Sequence, residues 1–106
     1  MRFEISTDKA GKARWALLSE NGQSVASSGQ PFSTVSNARR AARNFGERAA
    51  STEFEVYADA GGAYRWRAKS GNGQTTASSG ESFSSRSNAQ RAADNVRDNA
   101  GAATGP

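Results

Sequence analysis

The sequence predicts an α+β fold: two β-β-β-α repeats forming one antiparallel sheet, with two helices on one face and a pseudo-two-fold between the halves. Three observations lead there. Residues 3–50 align with residues 54–101 without a gap, at a constant shift that carries Phe3 onto Phe54, and about half of the paired positions are identical. Within each copy the apolar pattern alternates over three short runs, as in half-buried strands, and then changes to steps of three and four, as on a helix. Each copy is also near the lower size limit for a free-standing core, so the two are expected to share one interior.

Each element follows from its residues. The first strand of each copy is Phe3-Glu4-Ile5-Ser6 or Phe54-Glu55-Val56-Tyr57, followed by a Gly-containing turn at Asp8 to Gly11 or Asp59 to Gly62. The second strand runs Ala13 to Leu18 or Tyr64 to Lys69 and carries a Trp in both copies. In the second copy Tyr64, Trp66 and Ala68 alternate with Arg65, Arg67 and Lys69, giving one dry face and one basic face. Asn21-Gly22 and Asn72-Gly73 predict type I′ hairpin turns, because both central positions must tolerate positive φ. The third strand covers Gln23 to Ser28 or Gln74 to Ser79 and stops at Gly29 or Gly80. Val35, Ala38, Ala42, Phe45 and Ala49 then mark one helix face, matched by Arg86, Ala89, Ala93, Val96 and Ala100. Ser33 and Ser84 are positioned as N-caps. Gly46 reads as a weak point worth about 1 kcal/mol relative to Ala. The expected organisation is one domain over 1–106, with repeat one at 2–50, repeat two at 53–101 and a mobile Gly-, Ala- and Thr-rich tail at 102–106.

Composition narrows the function. Leu, Ile, Val and Phe together make up about a ninth of the 106 residues, a fraction as low as that of disordered chains. The repeat and the paired Trp residues argue instead for a folded domain with a thin Ala- and aromatic-based core. There is no Cys and no His, so neither a thiolate metal site nor a His-based catalytic arrangement is available. No apolar run approaches membrane-span length, and the N-terminal residues lack the layout of a signal peptide. A soluble cytoplasmic protein is therefore expected. Net charge is +4 and the sequence pI is about 10.1. Residues 3–50 carry seven Lys and Arg against four Asp and Glu, whereas residues 53–101 carry six against six, and Arg2 supplies the remaining positive charge.

Phe-Glu-Val-Tyr, the Tyr-Arg-Trp-Arg of Tyr64 to Arg67, the Asn-Gly turn, the Ala-Ser-Ser-Gly of Ala77 to Gly80 and the Ser-Asn-Ala opening of the helix together resemble the YegP-like family, in its tandem two-repeat form. The resemblance covers both units. It implies an α+β fold in which two repeats, or two single-repeat chains, build one sheet, with a strand after each helix exchanged between halves. The short Gly-rich ending departs from that last feature. The family carries no established activity, so the resemblance supplies no catalytic residue.

The residues themselves name no catalytic, cofactor-binding or metal-ligating group. Ser27, Ser28, Ser78 and Ser79 lack a base to take a proton and read as strand ends. Glu4 with Glu55, or Asp8 with Asp59, would form a carboxylate site only if they met across the two-fold; Asp before such a turn is more simply a turn residue. Trp15 and Trp66 read as core rather than as stacking platforms. The strongest functional lead is the helix surface opposite the apolar stripe. In repeat one it holds Arg40, Arg43, Asn44, Ser36 and Glu47, flanked by Arg39 and Arg48. The wet strand face, with Arg14, Arg65, Arg67 and Lys69, is a second candidate. The reading is a non-enzymatic interaction module, monomeric as an internal pseudo-dimer, with an unknown protein partner and no membrane. The alternative is nucleic-acid binding through the basic surface of repeat one, and a metal or enzyme site at the two-fold ranks third.

Overall fold

The computed structural model describes residues 1–105. Six strands, β1 (Arg2–Thr7), β2 (Ala13–Leu18), β3 (Ser24–Ser28), β4 (Glu53–Ala58), β5 (Tyr64–Lys69) and β6 (Thr75–Ser79), form one antiparallel sheet in the order β1-β2-β3-β6-β5-β4. Helix α1 (Val35–Arg48) packs on β1 and β2, and α2 (Arg86–Asn99) packs on β4 and β5. The repeats meet at the sheet centre, where β3 and β6 pair through Ala26 with Ser79, Ser27 with Ser78 and Ser28 with Ala77.

The residues at that seam are small for a reason. Gly29 and Gly80 end β3 and β6, each against the start of the partner repeat's strand. A Cβ on Gly80 would sit 2.7 Å from the Ser24 carbonyl oxygen; one on Gly29 would meet the Thr75 methyl at 3.1 Å. Ser28 and Ser79 are buried, and their Oγ atoms accept from the Trp15 and Trp66 backbone N–H groups, each at 3.4 Å.

One aromatic row runs through the interior of both repeats. Ring centroids step from Phe3 to Trp15 (5.6 Å), to Phe45 (5.1 Å), to Phe54 (6.3 Å) and to Trp66 (5.2 Å). The step from Phe45 on α1 to Phe54 on β4 crosses the repeat boundary. Fully buried alanines fill the remaining space and let both helices approach the sheet closely, among them Ala38, Ala42, Ala89 and Ala93. Trp15 and Trp66 are core residues, as the sequence predicts; both indole N–H groups are buried without a partner.

Local details correct several expectations. The N-caps are Thr34 and Ser85, one residue beyond Ser33 and Ser84: the Asn37 N–H donates to Thr34 Oγ at 3.0 Å and the Asn88 N–H to Ser85 Oγ at 3.1 Å. The Asn-Gly turns are not type I′. Only Gly22 and Gly73 have positive φ, 83° and 84°, and Gly22 N–H donates to Ser19 O while Ser19 N–H donates to Gln23 O. That is a three-residue loop with Gly in the left-handed position. The same bonding recurs at Asp8–Lys12, Asp59–Ala63 and Ser70–Gln74. Val35 and Arg86, first in each predicted apolar stripe, are exposed because the helices begin there, before the sheet is reached. Gly46, a weak point by propensity, is also a close-packing position, since a Cβ there would stand 3.2 Å from the Phe3 ring. Beyond α2, Ala100–Ala102 form a 3-10 turn and Thr104 bridges β1 in parallel: Phe3 N–H donates to Thr104 O at 2.8 Å. The predicted mobile tail at 102–106 thus begins inside hydrogen-bonded structure, and Pro106 lies outside the described residues. No separate strand is exchanged after α1; the chain passes through a 3-10 turn at Ala49–Ser51 directly into β4, which pairs within its own repeat.

The seam generates a prediction. Gly80→Ala should destabilise the protein by about 2 kcal/mol through overpacking against backbone, and Gly29→Ala by less, because a side-chain methyl can yield. Urea unfolding of both variants checks the order; an unchanged Gly80→Ala midpoint would contradict the close approach.

Candidate functional site

The two groups of cations singled out from the sequence differ in their surroundings. On the open face of the sheet, strand register sets Glu55 opposite Arg67 and Tyr57 opposite Arg65. Arg67 binds Glu55 at 2.6 Å, Lys69 approaches the same carboxylate at 3.5 Å, and Arg65 binds Asp59 at 3.0 Å. The Arg67 guanidinium also lies 4.7 Å from the Tyr57 ring centroid. Three of the four strand cations are thus paired, Arg67 and Lys69 sharing the one carboxylate of Glu55, whereas Arg14 is exposed and in no ion pair among the described residues. The hydrogen bond from Arg67, helped by the charges of Arg67 and Lys69, holds the Glu55 carboxyl below its ordinary value of 4.5. The hydrogen bond from Arg65, joined by the N–H groups of Ala63 and Gly61, does the same for Asp59.

The α1 arginines are different. Arg39, Arg40, Arg43 and Arg48 are all exposed, and none forms an ion pair among the described residues. On α2 the matching surface is mixed: Arg97 pairs with Asp94 at 3.3 Å and with Asp98 at 3.2 Å. The four arginines follow from the helix period, because only Ala38, Ala42, Phe45 and Gly46 of α1 are buried and the basic positions fall outside that stripe.

A cleft of about 660 Å³ opens beside α1. Its walls are the α1 residues Ala41, Asn44, Phe45 and Arg48, the Ser51–Glu53 link and the β5–β6 hairpin from Lys69 to Thr76. Ala41, Asn44, Phe45 and Arg48 share one helix flank by their spacing. Thus three of the candidates, Asn44, Arg48 and Lys69, come together at one site built from both repeats. Arg40 and Arg43 lie next around α1, Arg39 lies on its far flank, and Arg65 and Arg67 stay on the open sheet face. Sequence reasoning missed the cleft's other polar walls, Gln30 and Gln74. A signal was present: Gln30 is replaced by Glu81 in the second copy, where Gln23 Nε2 donates to Glu81 Oε2 at 3.2 Å. No such bond joins Gln74 to Gln30 among the described residues.

The carboxylates considered at the two-fold do not meet. Glu4 and Asp8 belong to the β1 side of the sheet, and Glu55 and Asp59 to the β4 side, at opposite edges. Asp8 and Asp59 instead serve their turns, Asp8 Oδ1 accepting from Ala10 and Lys12 and Asp59 Oδ1 from Gly61 and Ala63. Among the described residues no group of three or more potential metal ligands occurs, and no helix is long and apolar enough to cross a membrane.

A family model described as a domain of unknown function, DUF1508, matches residues 8–53 and again residues 59–104. The chain belongs to this family. It is 49% identical over 41 residues to the UPF0339 protein NMB1088 of Neisseria meningitidis serogroup B, a match covering 39% of this chain and 71% of that protein. The serogroup A protein NMA1193/NMA1859 matches to the same extent. The fold is similar to the solution structure of yegP, a protein of unknown function from E. coli, with TM-score 0.77 and 19% identity over 97% of this chain and 88% of that one. It is also similar to UPF0339 protein SO3888 of Shewanella oneidensis, with TM-score 0.72 and 16% identity over 94% and 84% of the two chains. The resemblance to a YegP-like fold in tandem form is thus confirmed, and with it the six-stranded sheet and paired helices.

The lowered carboxyls yield a pH prediction. Stabilisation from Glu55 and Asp59 is fully present above the ordinary carboxylate range and is lost as pH falls through their depressed native values. Thermal unfolding between about pH 6 and pH 3 should show a loss of stability on acidification that is shallower in Glu55→Gln. Equal acid sensitivity of variant and parent would remove Glu55 from the account.

Proposed function

We propose that this chain is a non-enzymatic interaction module that works as a monomer and binds nucleic acid through the outer face of α1. The observation that carries this reading is the contrast in charge pairing: Arg39, Arg40, Arg43 and Arg48 are exposed with no carboxylate partner among the described residues, whereas Arg65, Arg67 and Lys69 are paired. An unpaired guanidinium row contacts phosphates without first breaking an ion pair, and each contact releases counterions. Supporting the non-enzymatic part, the buried Ser28 and Ser79 spend their hydroxyls on backbone N–H groups, and the chain has no His to activate Ser27 or Ser78.

Anisotropy titration of a labelled single-stranded oligonucleotide at several salt concentrations tests the reading. Three to four phosphate contacts predict a slope of log affinity against log salt of about −2 to −3. Arg40→Glu with Arg43→Glu should weaken binding at least tenfold and flatten the slope by about 1 to 1.5, the share of two contacts. Arg65→Gln should leave both unchanged. No binding at low salt, or binding indifferent to the double charge reversal, would refute nucleic acid as the partner; a protein partner captured through the same face would then take its place.

A further inference from the structure

We infer that the cleft beside α1 takes an unpaired base of a single-stranded nucleic acid, while the phosphates of that strand lie along the α1 arginines. This deepens the proposed function and rests on it.

The charge balance of the cleft points to a neutral occupant. Arg48 and Glu53 both line it, so one charge of each sign faces the cleft without an ion pair between them. Lys69 also lines it, its ammonium drawn to 3.5 Å from Glu55, a carboxylate it shares with Arg67. A phosphate inside would face the Glu53 carboxylate, whereas a base would carry no charge there. The polar walls suit a base edge. Gln30, Asn44 and Gln74 bring side-chain amides from three different segments, and an amide offers both a donor and an acceptor to a Watson–Crick edge. Phe32 and Phe45 supply an apolar floor on which a ring can rest.

Divergence between the repeats supports the assignment. At the matching place in the other half, Gln23 and Glu81 bond to each other and tie the β2–β3 hairpin to the segment before α2. At the cleft the corresponding pair is Gln74 and Gln30, and their amides are not spent on one another. The volume of about 660 Å³ lies within the range of organic-ligand sites. Continuity with the cationic stripe fixes the rest. Asn44 and Arg48 belong to both surfaces, and Arg40 lies next around the helix at about 100° per residue. A duplex presents its phosphates but keeps its bases stacked, so it satisfies only the arginines.

The test compares three ligands of equal nucleotide length with the full chain: oligo-dT, an abasic sugar-phosphate strand of the same charge, and a duplex, whose charge density is higher. Oligo-dT is expected to bind about 5- to 100-fold tighter than the abasic strand, the worth of one stacked base. Ala41→Phe, which fills the cleft, and Gln74→Ala, a milder change on the hairpin, should each shrink that ratio while leaving abasic affinity unchanged. Arg40→Glu with Arg43→Glu should lower both affinities together. In NMR titrations the Asn44 and Gln74 side-chain amides should shift with oligo-dT and not with the abasic strand. Equal affinity for abasic strand, duplex and oligo-dT would overturn the cleft assignment and leave the phosphate reading intact. The same holds if the ratio survives in folded Ala41→Phe and Gln74→Ala alike. Absence of all salt-dependent binding would overturn both.

Discussion

The contact between Phe45 on α1 and Phe54 on β4 is the constraint on which the rest of the molecule depends. It joins the Phe3–Trp15 pair of one repeat to Trp66 of the other, so neither repeat owns a closed core. With so few large apolar residues in the chain, splitting this row would leave each half too little buried surface to offset its conformational entropy. The three-pair β3–β6 ladder is short for the same reason that its residues are small. It brings the two halves of the sheet into register, and the aromatic row beneath supplies the burial.

Duplication explains which surfaces were free to change. Interior positions are held by the shared core: Trp15 and Trp66, Ala26 and Ala77, Ala42 and Ala93 occupy equivalent buried places. Outside, the copies separated. Ala16 corresponds to Arg67 opposite a glutamate present in both repeats, so the Arg67–Glu55 pair has no counterpart at Ala16. Arg43 corresponds to Asp94, which left α1 cationic and gave α2 an internal pairing network. One interior pair also differs: Phe45 corresponds to Val96, so the aromatic bridge exists on one side only. An internally symmetric scaffold thus carries an asymmetric surface, with the unpaired charge and the amide-lined cleft on the same helix.

Much of the fold was legible because two periodicities repeat at a fixed shift; three strands and a helix per repeat, one merged sheet and the burial of the Trp residues follow from that. What was not legible depends on single atoms or on distant segments meeting. Ser33 and Thr34 both qualify as caps, and only the helix start decides between them. Asn-Gly is compatible with two loop geometries, and the backbone φ of Asn21 selects the one with a single left-handed residue. Gly46 looks like a propensity defect alone until Phe3, from a strand far away in sequence, is placed against it. For the candidate site, the α1 arginines were readable from helical spacing. The pairing of Arg65, Arg67 and Lys69 required the β4–β5 register, and the cleft required α1 of one repeat to face a hairpin of the other.

Native-state hydrogen exchange on Phe45→Leu tests the shared core most directly. The substitution is mild and stands on repeat one alone. The account predicts that amides of Ala13–Leu18 and of Tyr64–Lys69 lose the same amount of protection, because both depend on one cooperative interior. Full wild-type protection of Tyr64–Lys69 alongside a loss at Ala13–Leu18 would contradict it, showing two halves that stand independently.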